Sequence, residues 1–530
     1  MRTKNSLMNS MAGCFSYAII MLGSFIARNR FIEILGMEIS GIESYFPRII
    51  EGLAIVEMGL GIGIIYKLYK PIANKDWEQV SVILCFLRKA YMVIASVFFS
   101  VGLIAVYFVV MPRQDGFSKL WLSEIFMLYV LDVVASYLYF HKRSMIIADQ
   151  KNYINNNIHT AAQVLMFISQ IAVLQIFGSF ELYIICRIFS KLTENVIISC
   201  IFNKKYPFIN LKTKSKLPNI EKKDLFKNMK ALFIHKITSY STTVFSYAVI
   251  ECLLGLTVIS KYGSHMMIVL ALMAVTNEIF NSISASFGNL LITESRQKVY
   301  SNFNVLYFFN FLIYSFILCS FVSVITPFIS LWIGSKSVLG MGTIVSIAGY
   351  LYIYGIRQSI GMAKNCAGIY DPDKYIALFG AVVTFAASLV LLNPLGIAGV
   401  MIGNIVGIMA IPYWVQPYLV YNEVFKKSVK TYHLKFALYT ALTAVYSFVC
   451  YQIGVWACEN QIISSMASAL SHITARMTFP KRYLLAQIIF NMFVCILVPN
   501  LLNVVIFFKT KEFKNLWRVA KSVLRKFQKQ

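Results

Sequence analysis
Charged residues interrupt a stretch that is otherwise apolar enough for a membrane. Arg28, Arg30, Glu33, Arg48, Glu51 and Glu57 lie between Ser24 and Met58. An ionised side chain in hydrocarbon costs about 2.5–3.5 kcal/mol on insertion scales. It persists beside water, beside a partner of opposite charge, or at a lipid headgroup. Asp132, Glu278 and Arg357 pose the same question, because each falls inside another long apolar run. Glu57, Asp132 and Glu278 are therefore candidates for the lining of a wet cavity, where carboxylates can couple to ions.

Polar residues extend these positions into stripes. Ser10, Cys14, Tyr17, Met21, Ser24 and Arg28 recur at helical spacing and share one face. His235, Ser239, Thr242 and Ser246 do the same, as do Glu278 with Asn281, Asp132 with Ser136, and Tyr350 with Tyr354 and Arg357. Two readings stand. The stripes line one water-accessible space, or the Ser and Thr hydroxyls bond neighbouring helices, as is common in membranes. Arg28 lies far enough along its helix to snorkel to headgroups instead. Arg187, Lys191 and Glu194 share a helix face, and mutual pairing accounts for them without a ligand.

The elements that must position these groups are membrane spans. The chain has 530 residues, of which 58% are hydrophobic. Runs of about 20 apolar residues predict transmembrane helices, and the alternation of an outer-membrane barrel is missing. The expected fold class is all-α, a polytopic membrane protein with about fourteen spans. The expected organisation is an N-terminal six-helix lobe (1–203), a basic cytoplasmic linker (204–229), a second six-helix lobe (230–425), two further spans (426–508) and a tail (509–530). The linker also serves as the hinge about which the lobes would rock. No cleavable signal peptide is expected from the opening residues.

Charge orients the spans. Lysines and arginines crowd alternate connections, including Lys67 to Lys75, Lys142 to Lys151, the segment Lys204 to Lys230, Lys426 to Lys430 and the tail. The positive-inside rule places those connections and both termini in the cytoplasm. The net charge of +26 is then a topology signal with attraction to anionic headgroups. Nucleic-acid binding is not expected, since no binding motif accompanies it. In the tail, Phe513, Leu516, Ala520, Leu524 and Phe527 are spaced for one face of an interfacial helix.

Other motifs are set aside. The ten cysteines form no CxxC pair and the six histidines are dispersed, so neither a disulfide framework nor a metal centre is expected. No cofactor is expected, and without a P-loop ATP is not the direct energy source. Gly59, Gly61 and Gly63 suit helix packing rather than phosphate binding. Asp371-Pro372-Asp373 reads as a turn. A weak internal repeat pairs Ile32-Glu33, Leu35-Gly36 and Glu57 with Ile250-Glu251, Leu254-Gly255 and Glu278. Two similar lobes would place a cavity at their interface.

The segments FIARNRFIEILG, EMGLGIGIIYKLYKPIA, IADQKNYI, KNMKALFIHKI, ASFGNLLITES, PFISLWIG and LGIAGVMIGNIVG, in that order, resemble bacterial Wzx-type polysaccharide repeat-unit flippases. These belong to the multidrug/oligosaccharidyl-lipid/polysaccharide exporter superfamily. The resemblance implies a MATE-like fold of two six-helix lobes plus two helices, working by alternating access. It implies a substrate of oligosaccharide on undecaprenyl pyrophosphate, for capsule or exopolysaccharide synthesis, in the bacterial cytoplasmic membrane. Partners would be membrane lipids and the polymerase and glycosyltransferases of the same pathway.

By position, Arg28 matches the arginine ending the family's first helix, and Lys364 a basic residue before a Gly-aromatic-Asp loop. With Arg48, Lys236 and Arg357 they form the expected pyrophosphate-binding set, where guanidinium suits bidentate contact. The chain departs from the family at Ser246-Tyr247, where many relatives have Asp-Asn. It departs again at Gln416, where relatives tend to have Glu, and in a longer segment 457–482. A drug or cation antiporter of the same fold is the alternative and would need an acidic cavity. A membrane polymerase or glycosyltransferase would need a large catalytic loop; an enzyme is not expected.

Overall fold
A computed structural model describes residues 2–54, 60–111, 116–213, 242–369, 374–472, 474 and 477–527. Every regular element among them is helical. Nine helices are long and apolar enough to cross a membrane among the described residues, with a shorter apolar helix at Thr242–Leu254. The chain divides into two compact units, Met1–Ser260 and Lys261–Gln530.

The first unit holds α1 (Arg2–Leu53), α2 (Leu60–Ala73), α3 (Trp77–Val109), α4 (Lys119–Tyr137), α5 (Phe140–Ala148), α6 (Asn152–Phe177), α7 (Phe180–Lys205) and α8 (Thr242–Leu254). α1 consists of two helical arms that meet at Gly36, in the first copy of the internal repeat, where φ is +84° and ψ +175°. Glycine alone adopts this non-helical backbone without strain, so the chain turns there between the arms. The matching position of the repeat behaves alike. Gly255, at the end of α8, has φ +83°.

Packing follows close approach and aromatic contacts. Phe31 meets Phe180 and Tyr183 edge-on at 5.2 and 4.9 Å, tying α1 to α7. A side chain at Gly23 would collide with Phe167, and one at Gly102 with Val130. Those glycines let α1 approach α6 and α3 approach α4. Capping starts α3 and α7, where Asp76 accepts from Gln79 N at 3.0 Å and Ser179 from Leu182 N at 3.2 Å.

The second unit continues α9 (Leu256–Thr293) and adds α10 (Arg296–Ile333), α11 (Met341–Ile356), α12 (Gln358–Cys366), α13 (Lys374–Leu395), α14 (Ile397–Ala410), α15 (Pro412–Val420), α16 (Lys430–Glu459), α17 (Ile462–Ala469), α18 (Phe479–Phe507) and α19 (Lys511–Phe527). Two apolar runs are each broken. α11 gives way to α12 at Arg357, and α14 to α15 at Ile411, before Pro412. Proline at a first helical position explains the second break.

α10 is the spine of this unit. Phe311 stacks on Tyr439 of α16 at 4.3 Å, and Asn491 of α18 donates to Ser323 O at 2.7 Å. The long segment before α18 forms α17, whose Ile463 and Ala467 pack with Ala457 and Ala486. α19 is helical as its spacing predicts. Its Glu512 pairs with Lys435 at 2.7 Å, and Phe513 lies 6.4 Å from Phe308.

Candidate functional sites
In the first unit Arg28, Arg48 and Asp132 each have a partner of opposite charge. Arg28 is buried and pairs with Glu43, and it donates to Ser44 Oγ at 2.8 Å and Ser260 O at 3.2 Å. It therefore joins the two arms of kinked α1 to the start of α9, rather than reaching towards headgroups. Arg48 pairs with Glu51 at 2.7 Å and lies over the Tyr247 ring at 5.7 Å. Tyr247 thus occupies the departure from the family pattern as a partner of an arginine.

Asp132 is 1% exposed, and its Oδ2 receives both Arg187 Nε and Lys191 Nζ at 2.8 Å. Glu194 pairs with Arg143 at 2.9 Å and with His159 at 3.2 Å. The three charges on the face of α7 therefore find partners on α4, α5 and α6 as well as lying beside one another. Sequence spacing shows the shared face but not the neighbouring helices.

The second unit contains a polar cavity of about 470 Å³. It opens where α11 gives way to α12. Asn310 of α10 donates to the carbonyls of Gly355 and Ile356 at 3.1 and 2.9 Å, holding the end of α11. A side chain at Gly355 would collide with Tyr314, so only glycine lets α10 come this close. The break turns Arg357 and Gln358 into the cavity. Arg357 Nη2 donates to Gln416 Oε1 at 2.5 Å, and Gln358 Nε2 to Asn277 Oδ1 at 2.7 Å. Asn281 and Asn365 add exposed amides, and Phe280 and Tyr354 supply aromatic walls. Arg357 is the sole ionised group among the described lining residues.

Of the expected site residues, the structure brings Arg357 into this cavity. Lys364 is buried in the last turn of α12 and is not among the cavity's lining residues. Glu278 is exposed on α9, and Asn281, on its stripe, lines the cavity. Glu57, Lys236 and the Asp371-Pro372-Asp373 turn lie outside the described residues, as does most of the basic linker. Gln416 was visible in the sequence only as a departure. The prolines at 412 and 417 that bracket it were the available signal of irregular backbone there.

No family model matches the chain, and no curated protein matches it in sequence. Solved structures do match in fold. The lipid II flippase MurJ, in an inward closed conformation, aligns with a TM-score of 0.63 at 12% identity, covering 94% of this chain and 99% of MurJ. An inward-facing multidrug resistance MATE transporter of the MOP superfamily aligns at 0.59 and 13% identity, covering 76% of this chain and 95% of its own. A MOP superfamily transporter from Pyrococcus furiosus, described as having a binding pocket of reversed polarity, aligns at 0.53 and 14%, covering 77% and 93%. The fold is that of MurJ and the MATE transporters. With its apolar helices, this makes the chain a multi-pass membrane protein.

Proposed function
We infer that the chain is a flippase, moving an oligosaccharide linked to undecaprenyl pyrophosphate across the bacterial cytoplasmic membrane. The product would feed assembly of a cell-surface polysaccharide, such as a capsule or exopolysaccharide. The observation that carries this reading is the extent of the MurJ likeness, 94% of this chain, against 76% for the MATE transporter. MurJ is a lipid II flippase, and a lipid-linked substrate is what the two readings share.

The site residues fit an anionic head better than an organic cation. Arg357 supplies a guanidinium to a cavity with no carboxylate among its described lining residues. An ammonium ligand would lack a counter-charge there, whereas a phosphate oxygen gains a charge-assisted hydrogen bond. Of the other expected residues, Arg28 and Arg48 are engaged by Glu43 and Glu51, and Asp132 by Arg187 and Lys191; Lys236 and Lys364 are proposed to add positive charge, and Glu57 and Glu278 to couple ions. Polymerase and glycosyltransferases of the pathway are the proposed partners.

Deletion of the gene in its host tests this. Lipid-linked oligosaccharide should accumulate and surface polymer should fall, with both restored by the wild-type gene. Unchanged polymer together with new sensitivity to cationic drugs would replace the flippase by the drug antiporter.

A further inference from the structure
The cavity of the second unit has a chemistry more specific than positive charge. Its polar lining is dominated by carboxamides: Asn277, Asn281, Gln358, Asn365 and Gln416 surround Arg357. Several stand on segments long and apolar enough to cross a membrane, those of α9 and α15 among them. Polar groups at such positions are costly unless a neighbour, water or a ligand answers them; Gln358 answers Asn277 and Gln416 answers Arg357, and the exposed Asn281 faces the cavity.

A carboxamide presents a donor and an acceptor side by side. A hydroxyl also donates and accepts, so a row of amides matches a row of hydroxyls. Phosphate offers only acceptors at its ionised oxygens, so it can use the amide N–H groups but leaves the amide carbonyls unanswered. An ammonium offers only donors. Gln416 reinforces the match. It accepts from Arg357 at 2.5 Å without bringing a negative charge, so the guanidinium is positioned but not neutralised by that contact. Phe280 and Tyr354 add apolar faces, against which the C–H face of a sugar ring can lie while its edge hydroxyls reach the amides. The volume, about 470 Å³, falls within the ordinary range for small-ligand sites, about 300–1,000 Å³.

We propose that this cavity is a glycosyl subsite, binding neutral, hydroxyl-rich sugar of the head group through its amides. The proposal rests on the flippase reading and assigns the sugar to a place within one unit. Asn281 is the residue to test, because its side chain is exposed to the cavity and its loss creates no buried orphan.

The test uses the full chain in lipid nanodiscs and two probes. One is undecaprenyl pyrophosphate. The other is the oligosaccharide-bearing form extracted from the deletion strain. Asn281→Leu should bind the glycosylated lipid about tenfold or more weakly, as expected when a ligand hydroxyl loses its partner. Its affinity for bare undecaprenyl pyrophosphate should stay within about twofold, which also reports an intact fold. Asn281→Gln, which retains the amide, should recover most of the lost affinity. Equal affinity of wild type and Asn281→Leu for the glycosylated lipid would overturn the subsite. So would an equal loss for both probes. If the deletion strain yields no glycosylated lipid, the flippase reading itself fails, and that failure is distinct from either result.

Discussion
Asp132 tolerates near-complete burial because two cations converge on one of its oxygens, Arg187 and Lys191, each at 2.8 Å. Removing the carboxylate leaves two cations crowded on α7. Breaking a buried pair from one side costs about 3 kcal/mol or more. Asp132→Asn should therefore lower the thermal midpoint of the purified protein by several degrees, and adding Lys191→Met should recover part of the loss. A midpoint unchanged by Asp132→Asn would show that the pairing contributes no net stability. His141, on α5 outside the spanning segments, gives a pH signature. Burial, joined by the positive charges of Lys142 and Arg88, pushes its imidazole down from 6.5 to about 4. Between those values the unfolded chain takes a proton that the folded chain refuses. Stability should therefore fall as pH drops from about 6.5 towards 4, and His141→Gln should flatten that slope in melting curves across pH. At this scale the sequence revealed which residues needed partners. It did not reveal Asp132 as the partner of Arg187, because that contact joins residues 55 positions apart.

Elements are set here largely by glycine. α14 presents Gly399, Gly403 and Gly407 at four-residue intervals to α13. A side chain at any of them would collide with Leu391, Ser388 or Thr384 respectively. The close approach also lets Ser388 Oγ donate to Val400 O at 3.4 Å. Gly403→Leu should drive the two helices apart and sharply reduce the yield of folded protein, while Gly288→Ala, which meets nothing within 4 Å, should be close to neutral. Fluorescence-detected size exclusion of the two variants would check this. Gly36 and Gly255 act differently, through backbone at φ +84° and +83°. Alanine at such sparsely populated backbone costs about 1–3 kcal/mol, so Gly36→Ala and Gly255→Ala should each destabilise the first unit by about that amount, read as a drop in thermal midpoint. The repeat containing both glycines was legible because a special backbone demands a particular residue. The division between α11 and α12 was not legible. Helical periodicity runs through residue 357, and the break is held by Asn310 from another helix.

For the whole molecule, the alternation of basic and neutral connections carries the strongest expectation. Membrane length and apolar content made the all-helical fold readable before any contact was known, because lipid permits few ways to satisfy a backbone. Orientation rests instead on where the charges fall. Lys212 follows α7, and Lys427 lies between α15 and α16; both are exposed. Lys336 joins α10 to α11 and Asn460 follows α16, and both are exposed as well. If basic connections stay in the cytoplasm, Lys212 and Lys427 lie inside, while Lys336 and Asn460 lie outside. Single cysteines at these four positions, in a background with the ten native cysteines replaced, make the pattern measurable. A membrane-impermeant maleimide applied to intact cells should label Lys336→Cys and Asn460→Cys. It should reach Lys212→Cys and Lys427→Cys only after the membrane is opened. Lys336 is a demanding site, because its own charge sits on the side the rule disfavours; its neighbours between Trp332 and Met341 carry no other cation. Labelling of Lys212→Cys in intact cells would reverse the orientation. Labelling of Lys336→Cys together with Lys427→Cys would break the alternation of spans between them.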